Sequence, residues 1–377
     1  MNIAVIGAGM VGRLIAVELS KKYQVCAIDN DANNLSKLAK YNNRIVTKKI
    51  DIRNEPFLDS LEDAEIVINC VPGFMGFETS KKILEKKTCV DISFMPEDCN
   101  ELNTTSEKAK TALYPDAGVA PGLSNIIVGN LITKQKVDEI KIMVGGLPIE
   151  KNPPWNYKAP FSPIDVIEEY TRPARIKKNG TIETVEPLTG LINFEFENVG
   201  KLEAFLTDGL RTLLTTELTK DISTLLEYTI RYPGHSKRIS NLIEDGKLND
   251  TVKTINGKLT SQREITCKEL FKEWKLTEND KEFTLLVITA KTKEGEEISC
   301  IVYDEWRDGW SSMSRTTGLT ACAITNLIID KKLTKIGVVT PEDLGTNQAF
   351  FDYIINYLKE RKITINFANE ENSLEIK

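Results

Sequence analysis

The sequence has little histidine, no clustered cysteine and no long apolar run. A single histidine, His235, occurs in 377 residues, and the seven cysteines are scattered without a C-x-x-C pair. These features argue against a metal site and a disulfide framework, so we expect no metal and reduced thiols, as is typical of a cytoplasmic protein. No apolar run approaches the roughly 18 residues of a membrane span, and the N-terminal residues show neither a basic stretch nor a cleavage site. No membrane association and no secretory signal are therefore predicted.

The sequence also has fewer basic than acidic residues. Lysine and arginine number 49 against 55 aspartate and glutamate, which gives a net charge of −6 and a pI of about 5.3. This balance argues against a dedicated nucleic-acid-binding protein. An apolar fraction of 41% with 28% charged residues excludes wholesale disorder. The length corresponds to about 2.5 domains of roughly 150 residues, so we expect two domains.

A glycine-rich loop stands near the N-terminus. Residues 2–6 form a short apolar run typical of a buried strand, and residues 7–12 read G-A-G-M-V-G and lead into apolar positions at helical spacing. Gly7 would permit a tight turn, and Gly9 would let the backbone approach a pyrophosphate. Gly12 would let the helix pack closely on the strand.

The first residues of the predicted helix, Met10 and Val11, complete this loop, because N–H groups at a helix N-terminus are free to bind phosphate oxygens. The next predicted strand, residues 24–28, ends in Asp29. Gly7 and Asp29 are 22 positions apart, close to the roughly 20 expected for the acid that binds the adenosine ribose. The pattern predicts a dinucleotide site; the alternative is a glycine-rich turn without a ligand.

The acid at the end of the second strand favours NAD as the cofactor over NADP. Asp29 would accept hydrogen bonds from a ribose 2′-hydroxyl, and Asp31 adds a second negative charge nearby. A 2′-phosphate would meet both charges, and no arginine lies among residues 30–34 to compensate for them.

Strands and helical stretches continue to alternate over the first 120 residues. Further strands are predicted at residues 45–51, 65–71, 88–92 and 111–114, with helical stretches at 57–61 and 80–84. Six strands in this order predict a doubly wound parallel sheet with its ligand at the carboxyl ends of the strands. At that edge Asp51 could contact the adenine or cap its own loop, and Val71 and Pro72 would pass near the middle of a dinucleotide.

Several later segments resemble a known family. Residues 115–125 read P-D-A-G-V-A-P-G-L-S-N, 231–235 read R-Y-P-G-H, and 314–318 with 337–342 read S-R-T-T-G and G-V-V-T-P-E. These segments resemble the saccharopine dehydrogenase-like family, and the first two are similar to its lysine 6-dehydrogenase branch. The resemblance extends over essentially the whole chain and is loosest at residues 151–220.

The resemblance implies a Rossmann nucleotide-binding domain interrupted by an inserted α+β substrate domain. We expect the first domain to comprise residues 1–122 and those from about 312 to 377, and the second to comprise about 123–311. It also implies amine or imine redox chemistry on a small lysine-related amino acid, in a homo-oligomer.

Local patterns in the rest of the chain agree with a second domain of strands and helices. The Asn179-Gly180 turn favours a hairpin with a type I′ turn. An aromatic, proline-rich loop at residues 152–163 could be a lid over a substrate or a packed surface loop. Strands are predicted at residues 137–147, 174–177, 181–185, 283–289 and 297–303, and helices at 320–329 and 349–358.

Four residues are candidates for substrate binding and chemistry. His235 could be the general base for an amine, or a histidine beside a helix with an ordinary hydrogen bond. Arg231 could bind an α-carboxylate with its planar guanidinium, or form a surface ion pair. Asp116 could orient a substrate ammonium, or hold its own loop through backbone N–H groups. Glu203 lies in an L-E-A-F stretch similar to one that lines the substrate pocket in the family, and could equally be a solvated charge.

The leading functional hypothesis is an NAD-dependent L-lysine 6-dehydrogenase, which oxidises the ε-amine to an aldehyde. A second enzyme hypothesis is reductive condensation of an amino acid or polyamine with a carbonyl, as in the saccharopine-reductase and carboxynorspermidine-forming branches. A non-catalytic dinucleotide-sensing protein is the alternative from another class.

Overall fold

The structure is a computed structural model that describes residues 1–54, 57–159, 163–255, 258–277, 280–331 and 333–369. The chain forms two units. The first comprises Met1–Gln135 and Met313–Ile363, and the second comprises Lys136–Ser312 and the segment that begins at Thr364. Among the helices of the described residues, none combines the length and the apolar character that crossing a membrane requires.

The N-terminal part of the first unit alternates strands and helices. Its strands are β1 (Asn2–Ile6), β2 (Gln24–Asp29), β3 (Val46–Lys49), β4 (Ile66–Asn69), β5 (Thr88–Asp91) and β6 (Ala112–Tyr114). Its helices are α1 (Met10–Leu19), α2 (Ala32–Tyr41), α3 (Gly73–Leu84), α4 (Asn103–Ala109) and α5 (Leu123–Lys134). Strand β4 is buried along its whole length and β1 along all but its first residue, as expected where helices cover both faces of a sheet.

The second unit is richer in strands. Its strands are β7 (Val137–Pro148), β8 (Ala174–Lys178), β9 (Thr181–Val185), β10 (Ile192–Phe196), β11 (Gly200–Leu206), β12 (Thr224–Arg231), β13 (Val252–Ile255), β14 (Lys258–Ser261), β15 (Glu282–Thr292) and β16 (Glu297–Glu305). Its helices are α6 (Pro163–Thr171), α7 (His235–Glu244) and α8 (Gln262–Glu273). The chain then returns to the first unit through α9 (Ser312–Asp330), β17 (Gly337–Val338), α10 (Pro341–Thr346) and α11 (Gln348–Glu360). The last element of the described residues is β18 (Thr364–Asn369).

The first unit is built on a seven-stranded parallel sheet in the order β17-β6-β5-β4-β1-β2-β3. The strand order reverses between β1 and β4, which is the position where sheets of this kind bind ligands at the carboxyl ends of their strands. The doubly wound parallel sheet predicted from the sequence is confirmed. The stretch Phe57–Leu61, predicted as helical, is a 3-10 helix.

The second unit is built on a mixed sheet with the path β10-β11-β12-β7-β15-β16-β18, to which the hairpin β8–β9 is added beside β12. Asn179 and Gly180 both have positive φ, as the predicted type I′ turn requires. Strand β12, which the sequence did not predict, pairs in parallel with β7. The sequence does not predict β12 because its buried residues include Glu227, Thr229 and Arg231, which interrupt any alternation of apolar and polar residues.

Two elements fall outside the domains in which the sequence placed them. Helix α5 groups with the first unit, because its N-terminus hydrogen-bonds to the loop after β6 and α10 packs on it. A Cβ at Gly129 of α5 would lie 2.1 Å from the carbonyl oxygen of Glu342 in α10, so only glycine permits this approach. Strand β18 groups with the second unit, because it pairs with β16.

Candidate functional site

The three glycines of the first loop have three different environments. Gly7 has φ +94°, and a Cβ there would lie 2.6 Å from the carbonyl oxygen of Cys70, the residue that follows β4. A Cβ at Gly12 would lie 1.9 Å from the carbonyl oxygen of Gly7, so helix α1 can approach β1 only without a side chain. A Cβ at Gly9 meets nothing within 4 Å. The open space at Gly9 is where a pyrophosphate would approach the N-terminus of α1, which begins at Met10 and continues with Val11.

The carboxylate of Asp29 faces this loop. Its Oδ2 accepts the N–H of Ala8 at 2.7 Å and Nδ2 of Asn34 at 3.3 Å, and its Oδ1 accepts the N–H of Asp31 at 2.7 Å. Because each carboxylate oxygen carries two lone pairs, Oδ1 of Asp29 retains one acceptor position for a ribose hydroxyl. The open space over α1 and the oriented acid together fit a nicotinamide dinucleotide.

The loops after β3 and β4 lie at the same edge of the sheet. Oδ1 of Asp51 accepts hydrogen bonds from the backbone N–H of Arg53 at 3.1 Å and from the side-chain Nε of Arg53 at 2.8 Å. These hydrogen bonds lower the pKa of Asp51 to about 2. These contacts are those of a loop cap, and contact of Asp51 with an adenine stays a prediction. Val71 is buried and Pro72 exposed where they connect β4 to α3, beside the reversal of strand order.

Asp116 lies two residues after the end of β6, at the carboxyl edge of the sheet. It is buried, with 3% exposure, and has a φ of +50°. Aspartate is one of the few side chains other than glycine that adopts this backbone conformation readily, and such conformations cluster at functional sites. Its loop is tightly closed, because a Cβ at Gly122 would lie 2.6 Å from the carbonyl oxygen of Asp116.

A buried polar network around Asp91 fixes the start of this loop. The carbonyl oxygen of Asp91 accepts the N–H of Ala117 at 2.8 Å. Burial raises the pKa of Asp91 to about 6, although its carboxyl group has several hydrogen-bond donors. These donors are Nδ2 of Asn69 at 2.7 Å, Oγ of Ser80 at 2.6 Å, and the N–H and Oγ of Ser93 at 2.8 and 2.7 Å. The network thus connects the carboxyl ends of β4 and β5 to the residue that follows Asp116.

In the second unit, Arg231 ends β12 and is buried, with 2% exposure. Its Nε donates to the hydroxyl of Tyr170 at 2.9 Å, its Nη1 to the carbonyl of Ile230 at 2.9 Å, and its Nη2 to Oε2 of Glu169 at 2.5 Å. Burial acts to lower the pKa of Arg231, but the neighbouring tyrosines and Glu169 outweigh it and raise that pKa. The ion pair of Arg231 lies in the interior rather than on the surface, and binding of a substrate carboxylate by Arg231 stays a prediction.

His235 is also buried, with 2% exposure. Its Nδ1 lies 3.1 Å from the carbonyl oxygen of Trp155, and its Nε2 lies 3.0 Å from the hydroxyl of Tyr170. Since a carbonyl only accepts, the contacts assign the hydrogen to Nδ1 and make Nε2 an acceptor. Burial, followed by the charge of Arg231, lowers the pKa of His235 to about 3. The geometry therefore favours the alternative of a neutral, hydrogen-bonded histidine, and the general-base role stays a prediction.

Part of the aromatic loop packs against this histidine. The rings of Trp155 and Tyr157 lie 5.9 and 5.2 Å from the ring of His235, and both contact Trp274. Tyr157 is fully buried. These contacts are those of a packed loop, and residues 160–162 of the same loop lie outside the described residues.

Glu203 lies on β11, opposite Arg231 of β12. It is buried, and its two carboxylate oxygens accept the N–H groups of Gly234 and Ser236, each at 2.7 Å. A carboxylate in this position satisfies free N–H groups at the start of α7 and interacts favourably with the helix dipole. Glu203 is therefore not a solvated charge: it holds the helix that begins at His235.

The structure thus brings together three of the four substrate candidates, Arg231, His235 and Glu203, within the second unit, whereas Asp116 belongs to the first. Sequence reasoning missed Tyr170, whose hydroxyl contacts both Arg231 and His235, and Glu169, which pairs with Arg231. A Glu-Tyr pair in an amphipathic helix has no distinguishing local signal. Among the described residues, no group of three or more histidine, cysteine, aspartate or glutamate side chains is suited to a metal ion.

Two family models match the chain. The saccharopine dehydrogenase NADP binding domain matches residues 3–120, and the saccharopine dehydrogenase C-terminal domain matches residues 118–363. The chain belongs to the saccharopine dehydrogenase family. The family predicted from the motifs at residues 115–125 and 231–235 is confirmed.

Curated relatives match at low identity. The mitochondrial alpha-aminoadipic semialdehyde synthase of Rattus norvegicus is 24% identical over 267 residues, which cover 66% of this chain and 28% of that protein. Saccharopine dehydrogenase [NADP(+), L-glutamate-forming] of Saccharomyces cerevisiae is 26% identical over 226 residues, which cover 55% of this chain and 50% of that protein. The chain spans between about a quarter and a half of the length of these relatives.

A solved structure shares the fold. The apo, histidine-tagged saccharopine dehydrogenase (L-Glu forming) from Saccharomyces cerevisiae has a TM-score of 0.80 and 19% identity to this chain, and the match covers 98% of this chain and 99% of the other. At this identity the likeness shows the fold: a Rossmann sheet together with a second, mixed sheet.

Proposed function

We propose that the chain is a nicotinamide-dinucleotide-linked oxidoreductase that acts on the C–N bond of a lysine-related amino acid. The observation that carries this proposal is the arrangement of Gly9 and Asp29. Open space stands over the N-terminus of α1 at Gly9, and the carboxylate of Asp29 is fixed beside it by the N–H of Ala8. Family membership and the names of the relatives support the class of substrate.

The specific reaction that we propose is the oxidation of L-lysine at its ε-amine with NAD. The ε-nitrogen loses a proton and the ε-carbon loses a hydride, which leaves an iminium group on the substrate. Water then adds, and ammonia leaves to give the aldehyde. When bound, the dinucleotide supplies the hydride acceptor. The motifs at residues 115–125 and 231–235 and the acid at Asp29 support this choice.

Residues of the first unit have distinct proposed roles. Gly7, Gly9 and Gly12 shape the pyrophosphate site, to which the N–H groups of the first turn of α1 contribute. Asp29 accepts hydrogen bonds from the adenosine ribose. Asp116, at the carboxyl edge of the sheet, orients the substrate ammonium, since the N–H of Ala117 and the Asp91 network hold its loop in place.

In the second unit, we propose that His235 and Arg231 act as positioning residues. Arg231 hydrogen-bonds to Tyr170 and Glu169, and His235 hydrogen-bonds to Tyr170 and to the carbonyl of Trp155. Through these contacts the two residues hold the end of β12, the start of α7 and the aromatic loop together. Glu203 contributes by capping α7.

The names of the relatives favour a second candidate. A saccharopine-type enzyme would form or break the secondary amine that joins lysine to another amino acid, with NADP as the cofactor. The name of the yeast relative specifies both NADP(+) and L-glutamate formation, and one matching family model is described as NADP-binding. The non-catalytic alternative, a dinucleotide sensor, would keep the first site and lack turnover.

The deciding experiment measures the absorbance of reduced nicotinamide with purified protein. L-Lysine and saccharopine are each supplied with NAD or NADP, and glutamate plus the lysine-derived aldehyde is supplied with NADH or NADPH. Reduction of NAD by lysine supports the first candidate. Turnover confined to saccharopine or to the condensation supports the second candidate, and cofactor binding without turnover of any amine supports the sensor.

The homo-oligomeric state and the cytoplasmic location stay predictions. Light scattering on the purified protein tests the oligomeric state.

A further inference from the structure

An arginine that is remote in sequence lies beside the proposed ribose site. Arg13 follows Gly12 on helix α1, and its Nη1 donates to the carbonyl oxygen of Ala8 at 3.2 Å and to Oδ1 of Asn34 at 3.5 Å. The amide nitrogen of the same Asn34 lies 3.3 Å from Oδ2 of Asp29. Arg13 and Asp29 therefore contact opposite ends of one side-chain amide and flank the same small region.

This juxtaposition brings opposite charges to the place where NAD and NADP differ. The two cofactors are distinguished by the group on the adenosine ribose: a 2′-hydroxyl in NAD and a 2′-phosphate in NADP. Asp29 attracts the hydroxyl and repels the phosphate. The guanidinium of Arg13 is always charged, and its planar set of donors matches a phosphate.

We propose that Arg13 is a cofactor-specificity residue that offsets Asp29 and allows the chain to bind NADP in addition to NAD. This inference rests on the dinucleotide binding of the proposed function and does not depend on which amino acid is the substrate. It also revises the sequence argument for NAD. No arginine lies among residues 30–34, but the fold supplies one from helix α1.

The test is equilibrium binding of NAD and of NADP to the full chain by calorimetry. Wild type is expected to bind both cofactors. Arg13→Ala is expected to weaken NADP binding about tenfold, equivalent to about 1.4 kcal/mol, and to change NAD binding less than about threefold. A charge-assisted hydrogen bond commonly contributes at least this much. Asp29→Asn is expected to shift the preference the opposite way, towards NADP.

Two further variants make the result specific. Arg44→Ala removes the same charge from an exposed residue before the amino end of β3, and both affinities are expected to stay within about twofold. Arg13→Lys keeps the charge without the planar donor set and is expected to retain part of the NADP affinity. Because it is a milder change, it also serves if Arg13→Ala fails to fold, as judged by circular dichroism.

Several outcomes would overturn the inference. Equal losses of NAD and NADP affinity in Arg13→Ala would show that Arg13 supports the adenine or the loop and does not discriminate. A wild-type protein that binds NAD but not NADP would also refute it. If wild type binds neither cofactor, the dinucleotide site fails together with the proposed function. Binding without lysine turnover would leave the role of Arg13 intact and refute only the proposed reaction.

Discussion

The hydroxyl of Tyr170 donates a hydrogen bond to Nε2 of His235 over 3.0 Å. The direction of this bond follows from its neighbours, because Nε of Arg231 donates to the same hydroxyl oxygen and Nδ1 of His235 donates to the carbonyl of Trp155. The chain of donors therefore runs from Arg231 through Tyr170 and His235 to Trp155. It leaves His235 neutral and occupies both of its ring nitrogens.

His235 is accordingly expected to contribute no titration near neutrality to the pH profile of the proposed amine oxidation. Its pKa is lowered to about 3 by burial and by Arg231, so it does not change its charge between pH 5 and 9. In His235→Asn, kcat for the amine substrate should fall while the shape of its pH profile stays that of wild type. Loss of a general base would instead cost about 10² to 10⁴ in kcat and remove the acidic limb. A loss of this size together with a missing acidic limb, in a folded His235→Asn variant, would show that His235 is the general base.

The ion pair between Glu169 and Arg231 is expected to be important for stability. Their side chains are 19% and 3% exposed, and removing one partner leaves a buried charge uncompensated, which costs about 3–5 kcal/mol. Glu169→Gln should therefore lower the free energy of unfolding by about 3 kcal/mol in urea titrations. The control is Glu217→Gln, which breaks an exposed pair with Lys220 and should cost at most about 1 kcal/mol. Equal losses of unfolding free energy in Glu169→Gln and Glu217→Gln would contradict a stabilising role for the buried ion pair.

Glu227 is expected to make the stability of the protein depend on pH. It is buried, and burial raises its pKa to about 8 although Thr207 Oγ1 donates to it at 2.5 Å. The folded carboxyl group keeps its proton up to about pH 8, whereas the unfolded one releases it near its ordinary pKa of 4.5. This contribution to stability is complete below pH 4.5 and is lost between pH 4.5 and 8, by at most about 1.4 kcal/mol per pH unit.

Glu227→Gln mimics the protonated acid and retains an acceptor for Thr207. The variant should gain stability relative to wild type as the pH rises from 5 to 8, measured by urea unfolding at each pH. Glu195→Gln, at an exposed position of β10, is the control and should give a difference that does not change with pH. A pH-independent difference for Glu227→Gln as well would show that its carboxyl group is charged in the folded protein.

Gly9 and Gly12 are expected to separate cofactor binding from folding. Gly9 has φ −65° and open space around its missing Cβ, so Gly9→Val should lower the free energy of unfolding by no more than about 2 kcal/mol, the cost of a poor N-cap residue. It should nevertheless abolish NAD binding in calorimetry, because the side chain occupies the pyrophosphate space. Gly12→Val should instead unfold the domain or destabilise it severely, since its Cβ would lie 1.9 Å from the carbonyl oxygen of Gly7. Unchanged NAD affinity in Gly9→Val would refute the pyrophosphate assignment.

Much of the first unit could be predicted from the sequence, because its signals are local. Buried parallel strands appear as short apolar runs, and the glycines mark turns and close contacts over a few residues. The tight turn at Gly7, the close approach at Gly12 and the acid at the end of β2 therefore follow from residue type and spacing, whereas cofactor binding at Gly9 and Asp29 stays a prediction. The same local logic predicted the Asn179-Gly180 turn. Boundaries shifted where tertiary pairing decides them, as in β18, which joins the second sheet through β16.

The sequence by itself determined the fold class, the family and the glycine loop with its acid. Only the tertiary structure decided what the remaining polar side chains do, because their partners are distant along the chain. Arg13 contacts Asn34, and Arg231 contacts Glu169 and Tyr170 about 60 residues away. Burial then gives these groups protonation states that no local pattern reveals: residue type suggested a titrating base at His235, whereas packing around Arg231 keeps it neutral.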